Sequence, residues 1–274
     1  MSIELYHGDC LEVMKQLPSK SIDCFICDLP YGQLSAGYRH TGIHPQSSNP
    51  NQNPNKITFK VAPCAWDVKL DLKEFWNQVE RLAKNDYTPI LHFCNTKFGI
   101  ELINSKPDWF RYDLVWDKQR GISFLSANKM PMKSHEMIYV FSKKGAYYNR
   151  VDIKTDKKEW NTKRDKIDTN STQYGLAQRI YKEGGQDGMR CALSVIQLYK
   201  YVRDGHPTEK PLELYKWLIE RYCPADGTLL DPTAGSFNSC FAGYELNRNC
   251  IGIEKDDKFY KKACDRADAL SEVS

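Results

Sequence analysis

Short apolar runs alternate with amphipathic stretches along most of this 274-residue chain. The runs have the length and composition of buried strands, and they cover residues 3–6, 24–27, 90–94, 112–116, 137–141, 228–230 and 250–253. Apolar residues at helical spacing lie between them, at residues 11–17, from Asp71 and from Pro211 onward, at residues 240–246 and around Phe259. This alternation predicts one α/β domain, which the chain is long enough to form.

Two segments interrupt this pattern. Residues 33–63 have four Asn between Asn49 and Asn55 and no acidic residue, so we expect a long mobile loop there. Residues 143–203 contain 14 Lys and Arg against seven Asp and Glu, a net charge of +7, while the rest of the chain sums to −3. We therefore divide the chain into residues 1–142, an inserted region at residues 143–203, and residues 204–274.

The uneven charge indicates a polyanionic partner, because phosphate neutralisation by Lys and Arg supplies most of the non-specific affinity of proteins for nucleic acid. A solvated basic face is the alternative. The N-terminus lacks the features of a secretion signal, and no apolar stretch is long enough to span a bilayer, so we expect a cytoplasmic protein without membrane contact. Several of the ten cysteines lie in apolar runs, which predicts reduced, buried thiols. Cys24 and Cys27 lack a second pair that would complete a zinc site.

A polar turn, Asp28-Leu29-Pro30-Tyr31, directly follows the apolar run at residues 24–27. Ligands of open α/β sheets bind at the carboxyl ends of the strands, so a carboxylate and an aromatic residue at this point predict an active site. An Asp-Pro turn with no chemical role is the structural alternative.

A second polar turn, Asp231-Pro232-Thr233-Ala234-Gly235-Ser236, follows the run at residues 228–230. Glu254 ends the next predicted strand about 20 residues later, which is the spacing of a carboxylate that accepts hydrogen bonds from a ribose. The chain has no Gly-x-Gly-x-x-Gly motif for a pyrophosphate. This combination argues against a dinucleotide and favours a ligand with a ribose alone, such as S-adenosylmethionine.

Together the two turns resemble motifs of the amino-methylating DNA methyltransferases. The turn at residues 28–31 matches their Asp-Pro-Pro-Tyr motif except at Leu29. The turn at residues 231–236 is similar to their cofactor motif, although Phe237 and Asn238 replace the usual glycine and threonine. Residues 206–211, His-Pro-Thr-Glu-Lys-Pro, resemble the family segment that precedes this motif, and the motif order resembles that of the β group.

The resemblance implies a doubly wound, mostly parallel sheet of the Rossmann-like type, with a circularly permuted motif order and an inserted target-recognition region. The strand at residues 250–253 would then neighbour the strand at residues 3–6. The implied cofactor is S-adenosyl-L-methionine, and the implied catalytic residues are Asp28, Leu29, Pro30 and Tyr31. The implied cofactor-binding residues are Asp9, Asp28, Thr208, Lys210, Asp231, Thr233, Ala234, Gly235, Ser236, Phe237 and Glu254.

The chemistry follows from the weak nucleophilicity of a nucleobase amine, whose lone pair is delocalised into the ring. The Asp28 carboxylate and the carbonyl of Pro30 or Leu29 would accept its two N–H groups and favour a pyramidal nitrogen. Tyr31 would stack on a base flipped out of the duplex. Aspartate rather than serine at position 28 favours adenine N6 over cytosine N4 by resemblance.

We expect double-stranded DNA as the partner and no metal, with a homodimer left open. The predicted DNA-binding residues are Arg39, Lys56, Lys60, Lys157, Lys158, Lys163 and Arg164. The expected protein is a bacterial or phage-encoded, restriction-modification type of methyltransferase. The alternatives are a cytosine-N4 methyltransferase, an enzyme that methylates RNA or a protein glutamine, and a non-catalytic DNA-binding module.

Overall fold

The computed structural model describes residues 1–32, 37–40, 58–61, 68–122, 127–154, 189–198 and 209–271. Of residues 37–40, 58–61, 189 and 271 only the backbone is described. Within these ranges the strands are β1 (Ile3–His7), β2 (Cys24–Cys27), β3 (Gly37–His40), β4 (Thr58–Val61), β5 (Ile90–Cys94), β6 (Phe110–Ile122), β7 (Lys133–Phe141), β8 (Ile153–Lys154), β9 (Met189–Arg190), β10 (Val195–Gln197), β11 (Thr228–Asp231) and β12 (Asn249–Glu254). The helices are α1 (Cys10–Gln16), α2 (Leu72–Leu82), α3 (Thr96–Ser105), α4 (Leu212–Tyr222), α5 (Asn238–Glu245) and α6 (Asp257–Ser271).

Eight of the strands form one sheet in the order β1-β12-β11-β2-β5-β7-β6-β10. Neighbouring strands are parallel except where β7 pairs with β5 and β6. The first strand of the chain lies at one edge, where Ile3 pairs with Cys250, and the chain then enters the middle of the sheet at β2. This arrangement confirms the predicted mostly parallel sheet and the predicted pairing of the first strand with the strand at residues 250–253.

Helices cover both faces of the sheet, as expected for strands that are apolar on both sides. On one face α1, α2 and α3 pack in a core that includes Phe25, Phe75 and Phe98. On the other face α4, α5 and α6 pack in a core that includes Phe93 and Phe241. The doubly wound architecture therefore follows from buried strands that carry large apolar side chains in both directions.

Strand alternation also decides where the two cysteines of β2 lie. Cys24 packs in the core with α4 to α6, and Cys27 packs in the core with α1 to α3. Both thiols are fully buried and free. The two side chains therefore point to opposite faces of the sheet, as the alternation along a strand predicts.

The structure contains several elements that the sequence analysis did not predict. Helix α3 follows β5 directly, and its N-cap Asn95 accepts a hydrogen bond from the N–H of Phe98 over 2.9 Å. In the segment predicted as a loop, β3 pairs antiparallel with β4. Strand β10, inside the predicted insertion, joins the main sheet beside β6. The prediction missed these strands because three or four residues carry too little pattern.

The chain divides into two compact units. The first contains residues 1–149 and 194–274 and includes the main sheet. The second contains residues 150–193, in which β8 pairs antiparallel with β9 and Arg150 binds Asp152 through a 2.6 Å salt bridge. The second unit falls inside the basic region of the sequence.

Candidate active site

The turn at residues 28–31 lies at the carboxyl end of β2, in the middle of the sheet. Leu29, the departure from the family motif, is 1% exposed and packs in the core with α1 to α3. Gly32 ends the turn with a φ of +65°, a conformation that favours glycine. The buried leucine and the permissive glycine therefore fix a turn that leaves Asp28 and Tyr31 at the sheet edge.

Tyr31 contacts Asp28 directly. Its hydroxyl lies 3.1 Å from Asp28 Oδ1 and 3.0 Å from the carbonyl oxygen of Phe93, so these two acceptors share its one proton. Its ring packs against Phe98 at a centroid distance of 4.7 Å. Burial, together with the nearby charges of Asp28 and Glu136, raises the pKa of Tyr31 far above its usual value. Tyr31 is thus a neutral donor to the carboxylate.

Lys210 contacts the other oxygen of this carboxylate. Its Nζ donates to Asp28 Oδ2 and lies 3.4 Å from Glu136 Oε1 and 4.5 Å from the centre of the Phe93 ring. Burial acts to lower the pKa of Lys210, but the charges of Asp28 and Glu136 outweigh it and raise the pKa. Lys210 therefore stays an ammonium although only 4% of its side chain is exposed.

Two charged residues close to Asp28 and Lys210 were not among the predicted site residues. They are Glu136 and Lys118. Lys118 Nζ lies 2.7 Å from Glu136 Oε2. Burial acts to raise the pKa of Glu136, but Lys210 and Lys118 outweigh it and lower the pKa. The sequence signal was an acidic residue at the start of a predicted strand, and it gave no indication of its partners.

The cofactor turn is held by its own polar groups at the end of β11. Asp231 Oδ1 accepts the N–H of Thr233 over 3.1 Å, and Oδ2 accepts the hydroxyl of Ser239. Burial raises the pKa of Asp231 to about 7, with smaller contributions from Asp28 and Glu254. Asp231 is therefore a structural carboxyl that shapes the turn from inside.

Glu254 connects this turn to the end of β12. Its Oε2 accepts the N–H of Gly235 over 2.8 Å, and its Oε1 accepts the N–H of Asp256 over 2.7 Å. The N–H of Ala234 also donates to the carbonyl of Ile253 over 2.9 Å. Because Gly235 has a φ of +54°, glycine is favoured at this position. The predicted pairing of the glycine turn with a distal carboxylate is present in the fold.

Phe237 occupies the position where the resembled motif has glycine. Its φ of +58° is in the left-handed region, and its side chain is fully buried. A Cβ on Gly252 would lie 2.6 Å from the Phe237 ring, so the ring fits only because residue 252 is glycine. The side chain of Phe237 therefore packs the turn against β12.

The segment before α4 is tied to the start of α5. Asn238 Nδ2 donates to Glu209 Oε1 over 2.8 Å and to the carbonyl oxygen of Lys210 over 3.0 Å. Arg266 Nη1 donates to Asn238 Oδ1 over 2.8 Å. The asparagine that replaces the family threonine thus holds the backbone of Lys210 in place, a role that sequence reasoning did not find.

Asp9 lies at the same sheet edge, after β1. It caps α1 by accepting the N–H of Leu11 over 3.1 Å, and its second oxygen lies 3.3 Å from Lys255 Nζ. Since β1 neighbours β12, the fold brings Asp9 next to the end of the strand that carries Glu254. The structure therefore gathers Asp9, Asp28, Lys210, the turn at residues 231–236 and Glu254 along one edge.

The remaining predicted residues belong to segments outside the described side chains. Thr208, Lys56, Lys157, Lys158, Lys163 and Arg164 lie outside the described residues, and of Arg39 and Lys60 only the backbone is described, in β3 and β4. The described part of the chain contains no group of His, Cys, Asp and Glu arranged to hold a metal ion. None of its helices is long and apolar enough to cross a membrane.

The residues at the cofactor turn fit S-adenosyl-L-methionine. Thr233 Oγ1 is buried and has no hydrogen-bond partner among the described residues, so a polar atom is left for a ligand. Both Glu254 oxygens are oriented by backbone N–H groups and keep lone pairs that can accept a ribose diol. This ligand has no pyrophosphate, so the turn does not need a row of backbone N–H groups to bind one.

A permuted, doubly wound sheet with these two turns at its carboxyl edge defines the class of S-adenosylmethionine-dependent methyltransferases. Residues 22–265 match the N6_N4_Mtase family model, described as DNA methylase, and the chain belongs to this family. It is a DNA methyltransferase whose cofactor is S-adenosyl-L-methionine.

Three known proteins illustrate the similarity. The type II methyltransferase M2.MboI of Moraxella bovis is 23% identical over 267 residues, which cover 94% of this chain and 85% of the relative. The crystal structure of the M1.HpyAVI–SAM complex matches with a TM-score of 0.56 and 18% identity, covering 96% of this chain and 99% of that one. The PvuII DNA methyltransferase, cytosine-N4-specific, matches with a TM-score of 0.62 and 12% identity, covering 97% and 86%.

Proposed function

We propose that this protein transfers a methyl group to the exocyclic N6 amine of adenine in double-stranded DNA. The observation that carries the proposal is the position of Asp28, at the carboxyl end of β2, bound by Tyr31 and Lys210 and on the same edge as the cofactor turn. An aspartate at this position favours adenine by family resemblance. Cytosine N4 is the second candidate, because the structurally similar PvuII enzyme is cytosine-N4-specific.

In this proposal the chain acts by orienting the amine. S-adenosyl-L-methionine supplies an electrophilic methyl group. Asp28 accepts one amine N–H, and the carbonyl of Pro30 or Leu29 accepts the other, so that the nitrogen lone pair points away from the ring. The nitrogen would gain a bond to the methyl carbon as the bond from that carbon to sulfur breaks, with the bonding electron pair leaving on sulfur, and the nitrogen would afterwards release one proton to solvent. No covalent bond to the protein is needed, which agrees with burial of the Cys27 and Cys94 thiols near the turn.

The aromatic groups at the edge suit a flipped base. A base must leave the stack to reach a carboxylate at the edge of the sheet. We propose that Tyr31 stacks on this base while its hydroxyl continues to orient Asp28, and that Asp9, Thr208, Thr233 and Glu254 hold the cofactor. We also propose that Lys210, which contacts Asp28, orients this carboxylate in addition to lying near the cofactor.

Recognition of the target site is assigned to the basic region at residues 143–203 and to the segment at residues 33–63. The +7 charge of the first region supports this, since phosphate contacts position a protein on DNA. The type II name of M2.MboI supports a place in restriction-modification, and a DNA substrate supports a cytoplasmic location. A protomer that acts alone and a homodimer are both compatible with this proposal.

The experiment is to incubate purified protein with duplex DNA and labelled cofactor, then to digest the DNA and separate the nucleosides. Label in N6-methyladenine is the expected result. Label only in N4-methylcytosine would overturn the target base, and label only in RNA or protein substrates tested in parallel would overturn the substrate class. No transfer to any of them, with cofactor and DNA both bound, would identify a non-catalytic DNA-binding module.

A further inference from the structure

Four charged side chains form a continuous cluster at the catalytic edge. Asp28 binds Lys210, Lys210 lies 3.4 Å from Glu136, and Glu136 lies 2.7 Å from Lys118. The four side chains are between 4% and 23% exposed, so this is not a surface ion pair. Two cations and two anions balance within the cluster, which is the condition for keeping charges in a poorly solvated place.

The strands set this geometry. Glu136 lies on β7 opposite Trp116 of β6, and Lys118 lies two residues further along the same face of β6. Strand β7 neighbours β5, which ends beside the turn that carries Asp28. Glu136 therefore reaches Lys210 from the side opposite to the cofactor turn.

The contacts of Lys210 Nζ determine how well the Asp28 carboxylate can accept a hydrogen bond from a substrate. Asp28 Oδ1 already accepts from Tyr31, and Oδ2 accepts from Lys210. An ammonium that had Asp28 as its only carboxylate would direct its full charge to Oδ2 and make that oxygen a weaker acceptor for an amine. Glu136 offers the same ammonium a second carboxylate.

We propose that Glu136, oriented by Lys118, is a positioning residue that shares the ammonium of Lys210 with Asp28 and so leaves Asp28 able to accept an N–H of the target amine. This inference rests on the proposed amine methylation. It does not depend on whether the amine belongs to adenine or cytosine, because both bases present an exocyclic NH₂ group.

The first test is the variant Glu136→Gln, which keeps the size of the side chain and removes its charge. We expect kcat for labelled-methyl transfer to duplex DNA to fall about tenfold, the lower end of the effect of outer carboxylates that orient a metal ligand. KM for DNA and the calorimetric Kd for cofactor should stay unchanged, because Glu136 reaches Lys210 from the side opposite to the cofactor turn. The control is Glu245→Gln, which breaks the 2.7 Å Lys216–Glu245 salt bridge outside the site.

The pH dependence separates this role from a structural one. Glu136 is one of two carboxylates that raise the pKa of Lys210, so its loss lowers that pKa. The change in rate that accompanies deprotonation of Lys210 should therefore occur at a lower pH in Glu136→Gln than in the wild type and in Glu245→Gln. The other titratable groups around Lys210 are common to all three proteins: Asp28, Tyr31, Cys94, Lys118, Tyr215 and Asp231.

Further measurements keep the proposal open to refutation. If Glu136→Gln does not fold, Lys118→Gln is used, since Lys118 is more exposed and its loss should lower kcat in the same direction while Kd for cofactor stays constant. A folded variant with wild-type kcat and an unshifted alkaline limb would overturn the proposal. So would a variant whose only defect is weaker cofactor binding.

A readout without catalysis distinguishes this inference from the proposed function. In the free protein, NMR of labelled lysine side chains, with the Lys210 signal assigned by its loss in Lys210→Gln, should show the pKa of Lys210 fall in Glu136→Gln. In Glu245→Gln the pKa of Lys216 should fall instead, because Glu245 raises it, and the pKa of Lys210 should stay unchanged. Absence of methyl transfer by the wild type would overturn the proposed function alone. An unchanged lysine titration would overturn charge sharing even in an active enzyme.

Discussion

The hydroxyl of Tyr31 donates to Asp28 Oδ1 over 3.1 Å, so the two polar residues of the catalytic turn are bound to each other. Leu29, between them in sequence, is buried in the core and anchors the turn. The carboxylate is therefore oriented by its own motif as well as by Lys210. Separate substitution of Asp28 and Tyr31 should show how much of the turnover depends on the Asp28 carboxylate itself.

Asp28→Ala removes the acceptor for the amine, and we expect turnover to fall by about 10²-fold or more, as with other preorganised transition-state contacts. Tyr31→Phe is the matched variant, because it removes one donor to Asp28 and keeps the ring. We expect it to retain more activity than Asp28→Ala. Single-turnover methyl transfer, with cofactor Kd from calorimetry, measures both; equal losses in the two variants would contradict the assignment.

Glu254→Ala should weaken cofactor binding and leave the catalytic turn intact. The variant loses the acceptor for the Gly235 N–H and the proposed contact to the ribose. We expect Kd for cofactor to rise about 10- to 100-fold, because a hydrogen bond to a charged group contributes about 1.5–3 kcal/mol. Glu245→Ala, on the outside of α5, is the control for calorimetry. If Asp28→Ala rather than Glu254→Ala abolished cofactor binding in a folded protein, the two roles would be reversed.

Asp231→Asn should change how stability depends on pH. The folded-state pKa of Asp231, about 7, lies above its ordinary value of 3.8. Between these two values the folded chain keeps a proton that the unfolded chain has lost, so the free energy of unfolding falls as pH rises through this window. Asparagine cannot ionise, and the variant should gain stability relative to the wild type across the same window.

Urea unfolding of the cofactor-free proteins at several pH values measures this difference. Asp257→Asn is the control, because hydrogen bonding to Lys261 lowers the pKa of Asp257, the opposite direction from Asp231. The Asp257 variant should show no gain as pH rises. A pH-independent difference between wild type and Asp231→Asn would mean that Asp231 is already ionised in the folded chain.

Neutralisation of Lys157, Lys158, Lys163 and Arg164 together should weaken DNA binding and flatten its salt dependence. Each phosphate contact that is lost removes about one unit from the slope of log affinity against log salt. Cofactor binding should be unchanged. The matched control neutralises Lys15, Lys20, Lys84 and Lys106, which lie within or just after α1, α2 and α3 in the unit that contains the main sheet. An equal effect of the two quadruple variants would assign the affinity to net charge rather than to this region.

His92→Phe should stabilise the protein, and more so in mild acid. Neither ring nitrogen of His92 has a hydrogen-bond partner among the described residues, and the ring packs among Phe75, Trp76 and Phe141. Burial lowers its pKa from 6.5 to about 3, so the unfolded chain binds a proton that the folded chain excludes, and stability falls as pH drops below 6.5. Urea midpoints of variant and wild type should diverge on acidification; parallel curves would contradict the neutral assignment of His92.

The sequence determined the parts of this protein that depend on local pattern and on motif chemistry. Apolar runs marked β1, β2, β5, β11 and β12, and the turns after β2 and β11 marked the catalytic and cofactor edges. The motif order also predicted that β1 pairs with β12. These features are readable because buried strands need continuous apolar residues and because ligand turns need particular side chains.

Only the tertiary structure decided which charges meet. Glu136 and Lys118 come from strands far along the chain from Asp28, and Lys210 comes from the segment before α4, so no local spacing relates them. The same holds for Asn238, which meets Glu209 and Arg266, and for Phe237, whose ring depends on the missing Cβ of Gly252. A buried charge is stable only beside its partners, and those partners are chosen by the order of strands in the sheet rather than by the order of residues in the chain.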